Sequence, residues 1–209
     1  FQVSLMVCLP LNRCDICADI FTFSLSSASE MHSMMLQNRG VAVSWLLAFT
    51  FDHQCWDWAT WKVVRDIVKP ATEANRCRYT ELPEVTEFVR SATIFMSHCW
   101  GGKWGDLVLA ACTGARKDRV VWIDIFAVRQ YPGNIADLSF RGVISKCSAL
   151  IVATSVCDSL TQHIMHGDDE RKAYLASPEG KTDKKKLAPF RVWCVVELAA
   201  ATNMLPPVP

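Results

Sequence analysis

The sequence lacks an excess of charge of either sign and an apolar run long enough to cross a bilayer. Its 209 residues contain Lys+Arg 22 against Asp+Glu 21, whereas nucleic-acid and membrane-surface binders carry a basic excess. The best apolar run, residues 41–51, is shorter than the roughly 18 residues that a transmembrane helix needs. No basic leader precedes the apolar N-terminus, which argues against a signal peptide. We therefore expect no nucleic-acid partner, no membrane partner and a cytoplasmic location.

A regular cysteine framework is also lacking, although the chain contains ten cysteines. Several lie in apolar stretches, where a free thiol behaves as a small core residue in a reducing compartment. Cys14-x-x-Cys17 has no second Cys/His pair at zinc spacing, so we predict no metal. The start at Phe1 rather than Met suggests a fragment.

Three segments differ in their hydrophobic pattern. Residues 1–55 have no clean period and form an ill-defined N-terminal segment, and residues 56–91 have the spacing of a helical lead-in. An α/β pattern fills residues 92–209. In the lead-in, one apolar face over residues 56–69 predicts a helix that Pro70 ends.

The last segment alternates apolar strands with helices. Asp137 is placed to cap the second of these helices, and the charged stretch 167–186 predicts a surface loop or insertion. The strands are predicted at residues 92–97, 120–124 and 149–154, and the helices at 106–112, 138–147 and 191–203.

Strands that are apolar on both faces predict a three-layer α/β fold with a parallel sheet. In the flavodoxin-like strand order 2-1-3, a ligand crevice opens at the carboxyl ends of the first and third strands. The loop at residues 97–105 leaves the first strand, and the segment entering the last helix follows the third. Unless the domain is C-terminally incomplete, residues 41–51 would have to cover the free edge of the third strand.

Four blocks resemble, in order, a Toll/interleukin-1 receptor (TIR) domain. Residues 94–98 (IFMSH) and 122–124 (WID) resemble its first two strands, and residues 144–155 (ISKCSALIVATS) resemble the next helix and third strand. The most specific block is 193–198 (WCVVEL), which resembles the Trp-Cys-x-x-Glu-Leu motif of plant-type TIR domains. The resemblance covers about residues 60–205.

More narrowly, Ser97-His98-x-Trp100 together with Trp-Cys-x-x-Glu resembles a divergent TIR-like group of algae and protists. The Arg-Asp-x-x-Pro-Gly box of animal TIR domains appears only as residues 129–133 (RQYPG), one residue short and without its Asp. A TIR domain has five strands, so the resemblance implies that this domain is incomplete.

The resemblance to catalytic TIR domains implies cleavage of the nicotinamide–ribose bond of NAD. NAD is then the substrate, Glu197 the catalytic residue, and no cofactor is needed. Losing nicotinamide leaves an oxocarbenium-like ribose, which a carboxylate in a partly dry pocket stabilises. The apolar neighbours of Glu197 in its helix favour a place at a cleft wall. The structural alternative is a buried ion pair with Arg191 or Arg129.

Side chains of the same loops are candidates for substrate binding, each with a structural alternative. His98 contacts phosphate or ribose, or it bonds within its loop. Asp124 binds ribose or anchors a loop, and Trp193 stacks on a base or packs in the core. Cys194 is interpreted as a packed thiol. The predicted substrate-binding set is Ser97, His98, Trp100, Gly101, Trp104, Asp124 and Trp193.

Two functions remain open. In catalytic TIR domains a neighbouring copy completes the site, so an enzyme would act on self-association. The alternative is a non-catalytic TIR-like scaffold for protein–protein interaction in signal transduction. An open cleft joining residues 97–104 with Glu197 favours the enzyme, and a Glu197 locked in a dry ion pair favours the scaffold.

Overall fold

A mixed α/β fold is seen in the computed structural model, which describes residues 6–10, 32, 35–116, 118–155, 167–188 and 191–202. The Cys14-x-x-Cys17 spacing lies outside these residues. Six strands form one sheet: β1 (Met6–Pro10), β2 (Gly40–Ala42), β3 (Val89–Arg90), β4 (Ile94–His98), β5 (Val120–Trp122) and β6 (Ala149–Ala153).

The strands lie in the order β1-β6-β4-β5-β2-β3. The three predicted strands form its centre, where β4 lies between β5 and β6 and runs parallel to both. The outer pairs are antiparallel. The sequence predicts a parallel sheet, but the observed sheet is mixed. The difference arises because strands from outside the 92–209 segment pair antiparallel at both sides of the three central strands.

In the described part of the chain, helices lie around the sheet, and 3₁₀ turns form at Tyr79–Glu81 and Ile135–Asp137. A π-helical turn at Val64–Val68 joins the helices Thr60–Val63 and Lys69–Thr72. The helices are α1 (Val43–Asp52), α2 (Thr60–Val63), α3 (Lys69–Thr72), α4 (Pro83–Thr86), α5 (Trp104–Cys112), α6 (Asp124–Ala127), α7 (Phe140–Ile144), α8 (Asp168–Ala176), α9 (Pro178–Lys184) and α10 (Val192–Thr202). In this part of the chain no helix combines the length and apolar character required to cross a membrane.

Helices cover both faces of the sheet because the central strands are apolar on both sides. All five residues of β4 are buried, and alternate residues point to opposite faces. Met96 belongs to one core cluster, which includes residues of α1 and α5. Phe95 belongs to a second cluster, with residues of α7 and α10. The predicted 191–203 helix is thus held against the sheet as α10.

The free edge of β6 is covered, but not by the predicted segment. β1 pairs with β6, whereas β2 pairs with β5 at the other side of the central strands and residues 43–52 form α1. The predicted boundaries at residues 55/56 and 91/92 therefore do not divide the sheet, which takes strands from all three segments.

Three local predictions are wrong. The helix of the lead-in continues past Pro70 to Thr72. Pro70 is the second residue of α3, directly after the π turn, and proline is tolerated in the first turn of a helix. Asp137 caps no helix; it is buried between Arg39 and Arg78. The 167–186 stretch is not a loop: it forms α8 and α9, with acidic residues in the first turn of each helix.

Candidate functional site

A pocket of about 300 Å³ lies where β4 and β5 end and α10 begins. Five predicted site residues line it: His98 at the end of β4, Trp100 in the loop after it, Asp124 after β5, and Trp193 and Glu197 on α10. The remaining lining residues are Val128, Gln130, Asn134, Leu138, Phe140, Arg191 and Cys194.

Glu197 is buried at the wall of this pocket, with 6% of its surface exposed. Burial raises the pKa of its carboxyl to about 8, with a smaller contribution from Asp124 in the same direction. The Ser97 hydroxyl lies close enough to oppose this shift. Among the residues described, Glu197 makes no salt bridge, so the predicted pair with Arg191 or Arg129 does not form. The carboxyl is held largely protonated at pH 7.

His98 and Asp124 face each other across the floor of the pocket. Their Nε2 and Oδ1 atoms are 3.6 Å apart, which is too long for a hydrogen bond. Trp100 Nε1 donates to the other carboxylate oxygen of Asp124 at 3.0 Å and fixes that side chain. Burial lowers the pKa of His98 more than Asp124 and the Met96 backbone raise it, so the imidazole is neutral at pH 7.

Three buried polar atoms at this end of the sheet have no hydrogen bond of ordinary geometry to the residues described. They are Ser97 Oγ, His98 Nε2 and Asp124 Oδ1. Buried polar groups are normally satisfied, and exceptions concentrate at functional sites. Two of these residues, His98 and Asp124, line the pocket.

Trp193 is exposed at the pocket rather than packed in the core. Its surface is 56% exposed, and its ring meets Phe140 edge-on, with centroids 6.0 Å apart. This leaves part of the indole available to stack on a planar group. Of the alternatives left by the sequence, the core-packing one does not apply.

Cys194 is a packed thiol, as the sequence predicts. It is 6% exposed, and its Sγ donates to the carbonyl of His98 at 3.2 Å. Burial raises the pKa of the thiol to about 12, so the nucleophilic thiolate is absent at pH 7.

The crevice predicted between the first and third strands is almost closed. Gly101 lies in this crevice and does not line the open pocket. Its backbone packs so closely against the Lys185 carbonyl that an added Cβ would be 2.4 Å from that oxygen. Only about 10 Å³ remains beside Gly102 and Ser155. The chain after α9 therefore fills the crevice, and the open pocket lies on the β5 side of β4 instead.

Trp104 also lies away from the pocket, in the core. It is fully buried, and its Nε1 donates to Thr50 Oγ1 at 3.0 Å. The Phe49 and Phe126 rings contact it edge-on. The structure thus places Trp104 where it supports α1 and α5 and does not meet a ligand.

One wall of the pocket, the segment from α6 to the start of α7, was not predicted from the sequence. Gln130 Nε2 donates to the Val128 carbonyl at 2.9 Å, and Asn134 Nδ2 donates to the Arg129 carbonyl at 2.8 Å. These bonds fold the turn onto the site. The Pro132-Gly133 turn was the available signal, because it directs the chain back toward the end of β5.

No group of three or more His, Cys, Asp or Glu side chains in the described ranges is arranged to hold a metal ion. The pocket lining offers the carboxyls of Glu197 and Asp124, the His98 imidazole and aromatic rings. In comparisons with known proteins, no family model matches the chain, and no curated protein or solved structure is significantly similar to it.

Proposed function

We propose that this chain is a TIR-like domain that hydrolyses NAD at the nicotinamide–ribose bond, with Glu197 as the catalytic residue. The observation that carries the proposal is the buried carboxyl of Glu197, free of any ion pair to the residues described, in an open pocket with His98, Trp100 and Asp124. The position of β4 between two parallel neighbours supports the flavodoxin-like arrangement in which such a pocket binds ligands.

The chemistry requires an anion beside the ribose. The bond between C1′ and the ring nitrogen breaks with its electron pair going to the ring, so cationic nicotinamide leaves as a neutral molecule and needs no acid. A positive charge develops on the ribose, and a nearby carboxylate stabilises it. Water then bonds to C1′ and releases a proton. Glu197 is suited to this role in its ionised form, which a bound pyridinium favours.

The size and charge of the pocket fit one end of the dinucleotide. About 300 Å³ is at the lower limit for ligand pockets and suits the nicotinamide riboside half. Trp193 offers a face for the nicotinamide ring. Arg191, an exposed cation in the lining, is suited to contact the diphosphate outside the pocket.

The test is release of nicotinamide from NAD across pH 6 to 9.5. Because the unbound carboxyl has a pKa of about 8 and the ionised form is active, kcat/KM should rise about tenfold per pH unit below this value and level off above it. A profile that falls through pH 8 would assign Glu197 an acid role instead. Absence of NAD loss at every pH and protein concentration would overturn the hydrolase proposal.

The exposed apolar surface of α10 supports the alternative of a non-catalytic scaffold. The helix α10 exposes five apolar side chains, each with at least 38% of its surface exposed. Exposed apolar patches mark interaction sites. These side chains suit contact with a second copy of the chain, which serves either self-associating catalysis or a scaffold. They are Val192, Trp193, Val195, Val196 and Leu198.

Val195→Glu tests self-association. Val195 is half exposed and lies outside the pocket lining, so the variant should fold and keep an intact site. We expect the dimerisation constant to weaken about tenfold or more, since a charge replaces a buried contact. Sedimentation velocity over a concentration series measures this change.

The matched control is Phe51→Glu on α1, where the side chain is 68% exposed. If Val195→Glu weakens association but leaves NAD turnover per molecule unchanged, the contact through α10 serves a scaffold and is not needed for catalysis. Equal association of both variants and the wild type would exclude α10 as the contact.

A further inference from the structure

The unpartnered atoms on the pocket floor carry information about the ligand. His98 and Asp124 both line the pocket, and their buried Nε2 and Oδ1 atoms lie 3.6 Å apart and lack hydrogen-bond partners among the described residues. Neither is free to turn away. The Trp100 indole holds the Asp124 carboxylate through Oδ2, and the side chain of His98 is 4% exposed.

The hydrogen-bonding character of His98 follows from its surroundings. A neutral imidazole has one donor and one acceptor nitrogen. The Met96 backbone contact favours the protonated form, so its carbonyl accepts from the ring. We assign the proton to Nδ1 on this ground, which leaves the lone pair on Nε2. Two acceptors then face each other, and a ligand must supply the donors.

We propose that His98 Nε2 and Asp124 Oδ1 form a two-acceptor cradle that binds the cis-diol of a ribose. This inference rests on the proposed function for the identity of the ligand. The cradle excludes the phosphate contact considered for His98, because a lone pair and a carboxylate repel an anion. Each hydroxyl donates to one acceptor, which leaves Glu197 free to face C1′.

The cradle also explains why the site takes a ribose rather than a deoxyribose. Removal of the hydroxyls leaves both acceptors buried without donors, and a site built for a hydroxyl rejects an analogue that lacks it. His98 and Asp124 are therefore positioning and specificity residues. Their loss changes the preference between ligands, which a purely structural role would not do.

The experiment uses a carbocyclic nicotinamide riboside, in which a methylene replaces the ring oxygen so that no oxocarbenium forms. Its 2′,3′-dideoxy counterpart is the comparison ligand, and calorimetric titration measures both affinities. We expect wild type to prefer the diol by about 10- to 100-fold. His98→Asn, which cannot reach the Nε2 position, should reduce the preference to within about threefold, and His98→Gln should restore part of it.

Asp124→Asn provides a second variant, and exposed His53→Asn and Asp169→Asn are matched controls that should keep the wild-type preference. Equal wild-type affinities, no binding of either ligand, or an undiminished preference in folded His98→Asn and Asp124→Asn would overturn the cradle. NAD turnover by wild type is measured in parallel. Turnover without diol preference rejects only the cradle, and preference without turnover rejects only the hydrolase.

Discussion

Glu197→Gln is expected to lower kcat for NAD cleavage by about 10²- to 10³-fold, the usual effect of removing one group that stabilises transition-state charge. The amide keeps the size of the protonated carboxyl and its hydrogen-bonding capacity, so substrate binding should change little. Stopped assays of nicotinamide release give kcat and KM separately. A kcat within a factor of three of wild type would contradict the catalytic role.

The same substitution should stabilise the fold at neutral pH. A carboxyl whose folded pKa is about 8 binds more protons in the native state than in the unfolded chain, so stability falls as pH rises above the ordinary glutamate value. At pH 7 the penalty is of the order of 3 kcal/mol, and Gln removes it. Urea unfolding measures the gain. The matched control is Glu170→Gln, an exposed change on α8, which should alter neither activity nor stability.

Asp137→Asn should destabilise the fold by about 3–5 kcal/mol, because removing one partner of a buried ion pair leaves its charge uncompensated. The carboxylate is fully buried. It accepts from Arg39 Nη1 at 2.8 Å, from Arg78 Nε at 3.0 Å and from the Arg129 backbone N–H at 3.1 Å. These contacts join the N-terminal segment, through Arg39, and the lead-in, through Arg78, to the wall of the pocket. Urea unfolding followed by tryptophan fluorescence gives the difference.

Acid provides an independent test of the same group. Burial raises the pKa of Asp137, but hydrogen bonds from Arg78, the Arg129 backbone and Arg39 outweigh it, so the pKa is lowered overall. The stabilisation is therefore complete above the ordinary aspartate pKa and is lost as pH falls toward the folded value. The variant should lose less stability in acid than wild type. Exposed Asp169→Asn should stay within about 0.5 kcal/mol, and a similarly small change for Asp137→Asn would contradict the buried-charge account.

Local patterns predicted the centre of the molecule. The three apolar runs became β4, β5 and β6, and α10 begins within one residue of its predicted start. Hydrophobic period and length determine such elements because a strand buried on both faces needs an uninterrupted apolar run. The same reasoning placed His98 and Asp124 at the carboxyl ends of adjacent strands, where the structure brings them together at one pocket.

Contacts between distant segments could not be predicted in this way. Trp104 and Trp193 look alike as loop-adjacent tryptophans, yet one is fully buried beside Thr50 and the other is 56% exposed. Asp137 had the spacing of a helix cap, but its carboxylate pairs with Arg39 of the N-terminal segment and with Arg78 of the lead-in. Whether such a side chain is buried, exposed or paired depends on which distant segment of the chain packs against it.

The sequence by itself determined the α/β class, the central strands and the carboxyl on α10. Only the tertiary structure decided which crevice at the end of β4 stays open. The chain after α9 fills the crevice on the β6 side, and the turn after α6 forms one wall of the open pocket on the β5 side. The tertiary structure also decided the state of Glu197, whose raised pKa comes from burial. Hydrophobic period acts along neighbouring residues, whereas pocket shape and desolvation arise from residues far apart in the chain.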